Sequence, residues 1–134
     1  MKKQNRKSFI STIALIFGGM ALHAIPSQKM KNKQLIHQVF FWLKNPGSKE
    51  DLEKLLSGLK TLSKIQTVKS IHIGVPADTE KRSVVESSYA ASELLFFDDL
   101  AGQKTYQDHP IHVDFIKNHS HLWDKVVVYD VIEI

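Results

Sequence analysis

Tyr106, His109 and His112 stand together in the stretch Tyr-Gln-Asp-His-Pro-Ile-His-Val, and two of these residue types can move protons. An imidazole with a pKa of about 6.5 takes or gives a proton at neutral pH, which makes His112 the first candidate catalytic residue. A phenol such as Tyr106 could orient a substrate or stabilise a developing enolate, which makes it the second. Tyr106 and His112 lie six residues apart across Pro110, so helical spacing alone does not put them on one face. Only the fold can bring them together. The competing structural reading has His112 bonding to backbone at a helix break and Tyr106 filling space.

Four further residues are candidate ligand-binding positions: His37, Phe41, His72 and His109. His37 and His72 fall inside strand-like runs, where a lone histidine more often serves the core or an interface. His37 shares its alternation with Phe41 and so faces the same way. His109, immediately before Pro110, also reads as a helix cap. His109 with His112 and His119 with His121 have spacings that zinc can use. The chain has no cysteine to complete a set, and Pro110 interrupts the turn that would align the first pair, so no metal site is expected. There is no phosphate-cradling glycine loop and no Gly-x-Ser-x-Gly elbow, so no cofactor is expected either.

The elements that must position these residues follow from periodicity. Leu35 to Leu43 (LIHQVFFWL) is aromatic and β-branched and ends at Asn45-Pro46-Gly47, which predicts a first strand and a turn. Ser48 offers a helix cap with Asp51 three residues on, and Leu52, Leu55, Leu56, Leu59 and Leu62 recur at helical spacing, with Ile65 extending the stripe. Val68 to Val75 predicts a second strand closed by Pro76, and Ala77 to Ser88 a polar surface loop. Tyr89 to Phe97 predicts the third strand. Asp98 or Asp99 caps a second helical region that runs through Tyr106, breaks near Pro110 and resumes to about His119, burying Ile111, Phe115 and Ile116. Lys125 to Ile134 predicts the last strand. The order β-α-β-β-α-β is the ferredoxin-like arrangement of the α+β class: a four-stranded antiparallel sheet with both helices on one face.

The strands are apolar on both sides. His37, Val39, Phe41 and Leu43 oppose Ile36, Phe40 and Trp42, while Val126, Val128 and Ile132 oppose Val127, Tyr129 and Val131. Helices on one face leave the other wet, and each large side chain stranded there forfeits about 1.5–3 kcal/mol of burial. A second copy packed sheet to sheet is the economical answer, so a homodimer through the sheet face is expected.

The N-terminus reads as an export signal. Lys2, Lys3, Arg6 and Lys7 precede the uncharged run Phe9 to Leu22, and Ala24 is a small residue suited to cleavage, giving a signal peptide over 1–24 and a flexible linker over 25–34. The run is shorter than the roughly 20 residues that span a bilayer. Leu22 departs from the small-residue pattern, which leaves an uncleaved anchor as the alternative to a periplasmic or secreted product. Eighteen Lys and Arg face fourteen Asp and Glu, but four of the basic residues belong to the leader. The remainder is nearly neutral, so neither nucleic acid nor, after cleavage, a membrane is an expected partner.

From Leu35 onward the sequence resembles the stress-responsive A/B barrel domain family, a group of dimeric α/β barrels. The likeness is carried by His37 in IHQVFFWL, by the Gly58-Leu59-Lys60-Thr61-Leu62 stretch and by Ile71-His72-Ile73-Gly74. Its most specific parts are YQDHPIHV from Tyr106 to Val113 and Trp123-Asp124-Lys125 before VVVYD. The resemblance implies one domain over 35–134. The family includes a plant polyketide cyclase that works by aldol chemistry without a metal, which implies a Tyr and a His acting together at Tyr106 and His112 and a pocket-side histidine at His37. Where that cyclase has a further histidine early in its third strand, this chain has Ala91 or a neighbour. The expected function is an exported homodimer holding a small apolar or carbonyl-containing molecule between helices and sheet, with no reaction assigned. A non-catalytic envelope stress or interaction dimer and a metal-free cyclase- or lyase-like enzyme are the alternatives.

Overall fold

The computed structural model describes residues 32–134. The expected signal segment, and the linker up to residue 31, lie outside them. Strand β1 (Leu35–Leu43) is followed by helix α1 (Lys49–Thr61), strands β2 (Ser70–Gly74) and β3 (Ala91–Phe97), helices α2 (Leu100–Asp108) and α3 (Pro110–His119), and strand β4 (Trp123–Ile132).

Local chemistry sets these boundaries. Gly47 turns the chain out of β1 with φ +80°, a conformation that side chains disfavour. The Ser48 hydroxyl then accepts from the Asp51 amide and starts α1. Beyond Thr61 the helix tightens into a short 3-10 turn, and the Val68 amide is spent on the Ile65 carbonyl. Val68 therefore belongs to a turn, and β2 is shorter than periodicity suggests. Asp99 caps α2 through the Gly102 amide. The break between α2 and α3 follows from Pro110, which holds His109 extended at ψ 138°.

The sheet is antiparallel with strand order β2-β3-β1-β4, which puts β1 at its centre. Right-handed crossovers place α1 over β2 and β3 and α2 over β1 and β3, while α3 packs beside α1. The inner sheet face carries Leu35, Val39, Phe41, Leu95 and Phe97. These meet Leu55 and Leu59 of α1, Leu62, Ile65, Tyr106 and Phe115 in one buried core. Each such aliphatic side chain contributes about 1.5–3 kcal/mol by leaving water.

The helices do not reach across β4. Val126 and Val128 point to the inner face, opposite Phe41 and Val39, yet remain 43% and 45% exposed. Ile116, expected to be buried, is exposed as well, because α3 turns that side toward the uncovered strand. On the outer face, the end of the loop before β3 lies against β1. Trp42 Nε1 donates to Ser88 Oγ, and the Tyr89 ring meets Phe40 edge-on at 4.9 Å. Tyr129 and Val131 on that face stay open.

Candidate functional site

The gap between α3 and the uncovered β4 makes a cavity of about 220 Å³ on the helix side of the sheet. Its aromatic wall is built by Phe41, Trp123 and Phe115, whose rings follow one another at centroid separations of 5.1 and 5.8 Å. Ile116, Val126 and Val128 surround its open side. Its polar groups are His37, Glu93, Tyr106, Gln107 and His112.

Three of these rings form a line. Tyr106 lies edge-on to His37 at 5.7 Å and tilted against His112 at 4.6 Å. Tyr106 comes from the last turn of α2 and His112 from the first turn of α3. The extended residue between the helices folds the chain so that residues six apart meet. That bend is the answer to the spacing problem in the sequence.

His112 Nδ1 donates to the Gln107 carbonyl at 3.0 Å, which leaves Nε2 as the acceptor nitrogen of a neutral ring. Burial holds its pKa below the ordinary imidazole value, and nearby His37 adds to that, while the Gln107 bond partly offsets it. The Tyr106 ring is fully buried, and its hydroxyl has no hydrogen-bond partner among the described residues. Burial first, and then the Glu93 carboxyl, push the phenol well up, so it keeps its proton. Both structural alternatives therefore hold at once: His112 bonds the helix break and Tyr106 fills the core, and both still line the cavity.

His37 Nδ1 donates to Asp130 Oδ1 at 2.6 Å. The β1–β4 register pairs these two residues, and their side chains share the inner face. Asp130 thus orients the pocket-side histidine. Phe41 lines the cavity beside it. His72 and His109 do not. His72 pairs with Leu94 on the outer face and is exposed. His109 is occupied as the cap of α3, its Nδ1 accepting from the Ile111 amide at 3.1 Å. Position 91 is a buried alanine in the core.

Glu93 is the residue that sequence reasoning missed. It is 2% exposed and pairs with Val39 at the centre of the inner face, and Oε2 has no partner among the described residues. Desolvation pushes its carboxyl up to about 8, so at neutral pH it is mostly the uncharged acid. The signal was present in the third strand: by alternation, Glu93 falls in line with Leu95 and Phe97, the buried set.

A ferredoxin-like α+β domain with an aromatic-walled cavity beneath its helices defines the class of protein. The chain belongs to the stress-responsive A/B barrel domain family, whose profile matches residues 35–133. A stress-response A/B barrel domain-containing protein of Arabidopsis thaliana is 32% identical over 85 residues, which cover 61% of this chain and 75% of that one. Among solved structures, a Dabb family protein with a ferredoxin-like fold from Mesorhizobium loti aligns with TM-score 0.63 at 24% identity, over 77% of this chain and 99% of that one. A dimeric ferredoxin-like protein from Thermobifida fusca gives 0.62 at 17% identity, over 77% and 93%. The hydroxynitrile lyase of Passiflora edulis gives 0.62 at 19% identity, over 76% and 94%. At these identities the structural likeness speaks for the fold.

Proposed function

We propose that the protein binds a small, uncharged, largely apolar or carbonyl-containing molecule in the helix-side cavity. The observation that carries this reading is the pairing of Tyr106 and His112 on an aromatic-walled space, with the Tyr106 hydroxyl unpartnered among the described residues. Leaving a buried hydroxyl unpaired costs about 1–3 kcal/mol, a cost that an acceptor on a ligand removes. An apolar cavity of about 150 Å³ is enough for a benzene ring, so the 220 Å³ here suits a one-ring molecule. A thermal-shift screen of metabolites against the wild type and His112→Ala tests the proposal. At least one compound should stabilise the wild type and stabilise the variant less. If nothing stabilises the wild type, or every binder acts equally on both, the site is wrongly placed and a non-catalytic dimer is the better reading.

A second reading is favoured by the state of the same pair. A neutral imidazole with a free acceptor nitrogen beside a protonated phenol is equipped to take and return a proton. This would make the protein a metal-free lyase- or cyclase-like enzyme.

The working form in this proposal is a homodimer joined through the outer sheet face. Its support is the apolar character of that face and the description of neighbours from Thermobifida fusca and Bacteroides fragilis as dimeric. Export by the N-terminal segment is proposed from the basic stretch and the apolar run that follows it. Comparing the N-terminus of the protein recovered from the envelope with that of the full chain tests it.

A further inference from the structure

The cavity is unusual in holding a carboxyl group with no counter-charge. Among the described residues no lysine or arginine lines it. His112 is neutral, and His37 gives its Nδ1 proton to Asp130 rather than to Glu93. On the sheet, Glu93 sits across from Val39, diagonal to both His37 and Phe41, and beneath the space that Tyr106 closes from the helix side. Among the described residues, two buried oxygens in the same small volume, Glu93 Oε2 and Tyr106 Oη, are thus without partners. A structural carboxyl would be expected to bond to backbone or to a basic side chain.

We propose that Glu93 is a ligand-anchoring residue: its carboxyl group and the Tyr106 hydroxyl together receive one acceptor oxygen, that of a small uncharged ketone, aldehyde or similar molecule. The inference rests on the cavity being a ligand site and adds to it the residue that decides which ligands enter. Burial keeps the carboxyl in its acid form, so each group offers an O–H. A carbonyl oxygen has two lone pairs and accepts both. The hydrocarbon part of the ligand then lies against Phe41 and Trp123. Selection follows from what the two donors refuse. A hydrocarbon leaves both unpaired, and a carboxylate ligand brings a charge into a space with no cation to meet it.

Three probes of one shape separate the alternatives: acetophenone, ethylbenzene and 1-phenylethylamine, titrated at pH 7 against the wild type, Glu93→Gln and Glu93→Leu. The wild type should bind acetophenone about a hundredfold tighter than ethylbenzene, the worth of two buried hydrogen bonds. Glu93→Leu should cut that preference about tenfold, leaving the part the Tyr106 hydroxyl supplies, while Glu93→Gln, which keeps a donor, should retain most of it. Both replacements remove a buried ionisable group, and a urea melt of each confirms that it is folded. An acetophenone preference that is undiminished in Glu93→Leu overturns the role of Glu93 and leaves the cavity reading standing. Tightest binding of the amine, lost in Glu93→Leu, overturns the acceptor-oxygen assignment, since Glu93 would then act as a carboxylate for cations. Binding of none of the three to the wild type removes the cavity reading and this inference together.

Discussion

The Tyr106 and His112 rings lie 4.6 Å apart at 44°, although they belong to different helices and are separated in sequence by the break at Pro110. The contact depends on that break, because a continuous helix would turn residues six apart away from one another. Tyr106→Phe should preserve the packing, since the lost hydroxyl has no partner among the described residues, and should even stabilise the ligand-free protein slightly. The same change should weaken binding of a carbonyl ligand by about tenfold. Urea melts and titrations on one preparation check both halves.

Glu93 should make stability fall with pH. In the unfolded chain the carboxyl ionises near 4.5, while in the folded protein it holds its proton to about 8. Between those values the unfolded state has released a proton that the folded state keeps, so this contribution is full below pH 4.5 and is lost as pH rises to 8. The slope approaches about 1.4 kcal/mol per pH unit. The depressed His112 works in the opposite sense, losing stability as pH falls below the ordinary imidazole range. The difference between wild type and Glu93→Gln at pH 5, 6, 7 and 8 isolates the carboxyl, and should widen steadily in favour of the variant.

Gly58 is required by a close approach. A Cβ there would stand 2.6 Å from His119 Nε2. The His119 ring cannot simply swing aside, since Nδ1 donates to the Phe115 carbonyl and the ring stacks on Phe115 at 5.2 Å. Gly58→Ala should cost about 1–2 kcal/mol, strain outweighing the better helix propensity. In a His119→Ala background the same change should become stabilising by about 0.5–1 kcal/mol. Chemical denaturation of the four proteins gives the sign of both.

The outer sheet face should hold two copies together. Tyr129 and Val131 are more than half exposed there, beside Phe40 and Trp42, and among the described residues no helix lies over them. Sedimentation at micromolar concentration should give the mass of two chains. Tyr129→Glu with Val127→Glu should raise the dimer dissociation constant by about 100-fold or more, because two unpaired charges per chain would have to be desolvated.

The element order and the sheet topology were legible because each strand and helix carries its own period, and Ser48, Gly47 and Pro110 mark the boundaries in the chain itself. The strand faces were legible for the same reason. What could not be read was which inner-face positions the helices leave open. Nothing local to Val126 or Val128 distinguishes an uncovered strand from a covered one, and the burial expected for Ile116 failed on the same gap. The pairing of His37 with Asp130 needed the β1–β4 register, which depends on contacts nearly a hundred residues apart in sequence. His72 failed as a ligand candidate through a one-position matter of face, and His109 because its ring was already committed to capping α3. Glu93 was readable from alternation, and was passed over because an acidic residue in a strand is ordinarily taken for the solvent side.

The most direct measurement is a crystal structure of the protein soaked with the compound that stabilises it most in the thermal-shift screen. The account predicts density between Tyr106, His112 and Trp123, beneath the helices, with the ligand's acceptor oxygen toward Tyr106 and Glu93. Density confined to the outer face, in the space of about 350 Å³ bounded by Phe40, Trp42 and Tyr129, would contradict it.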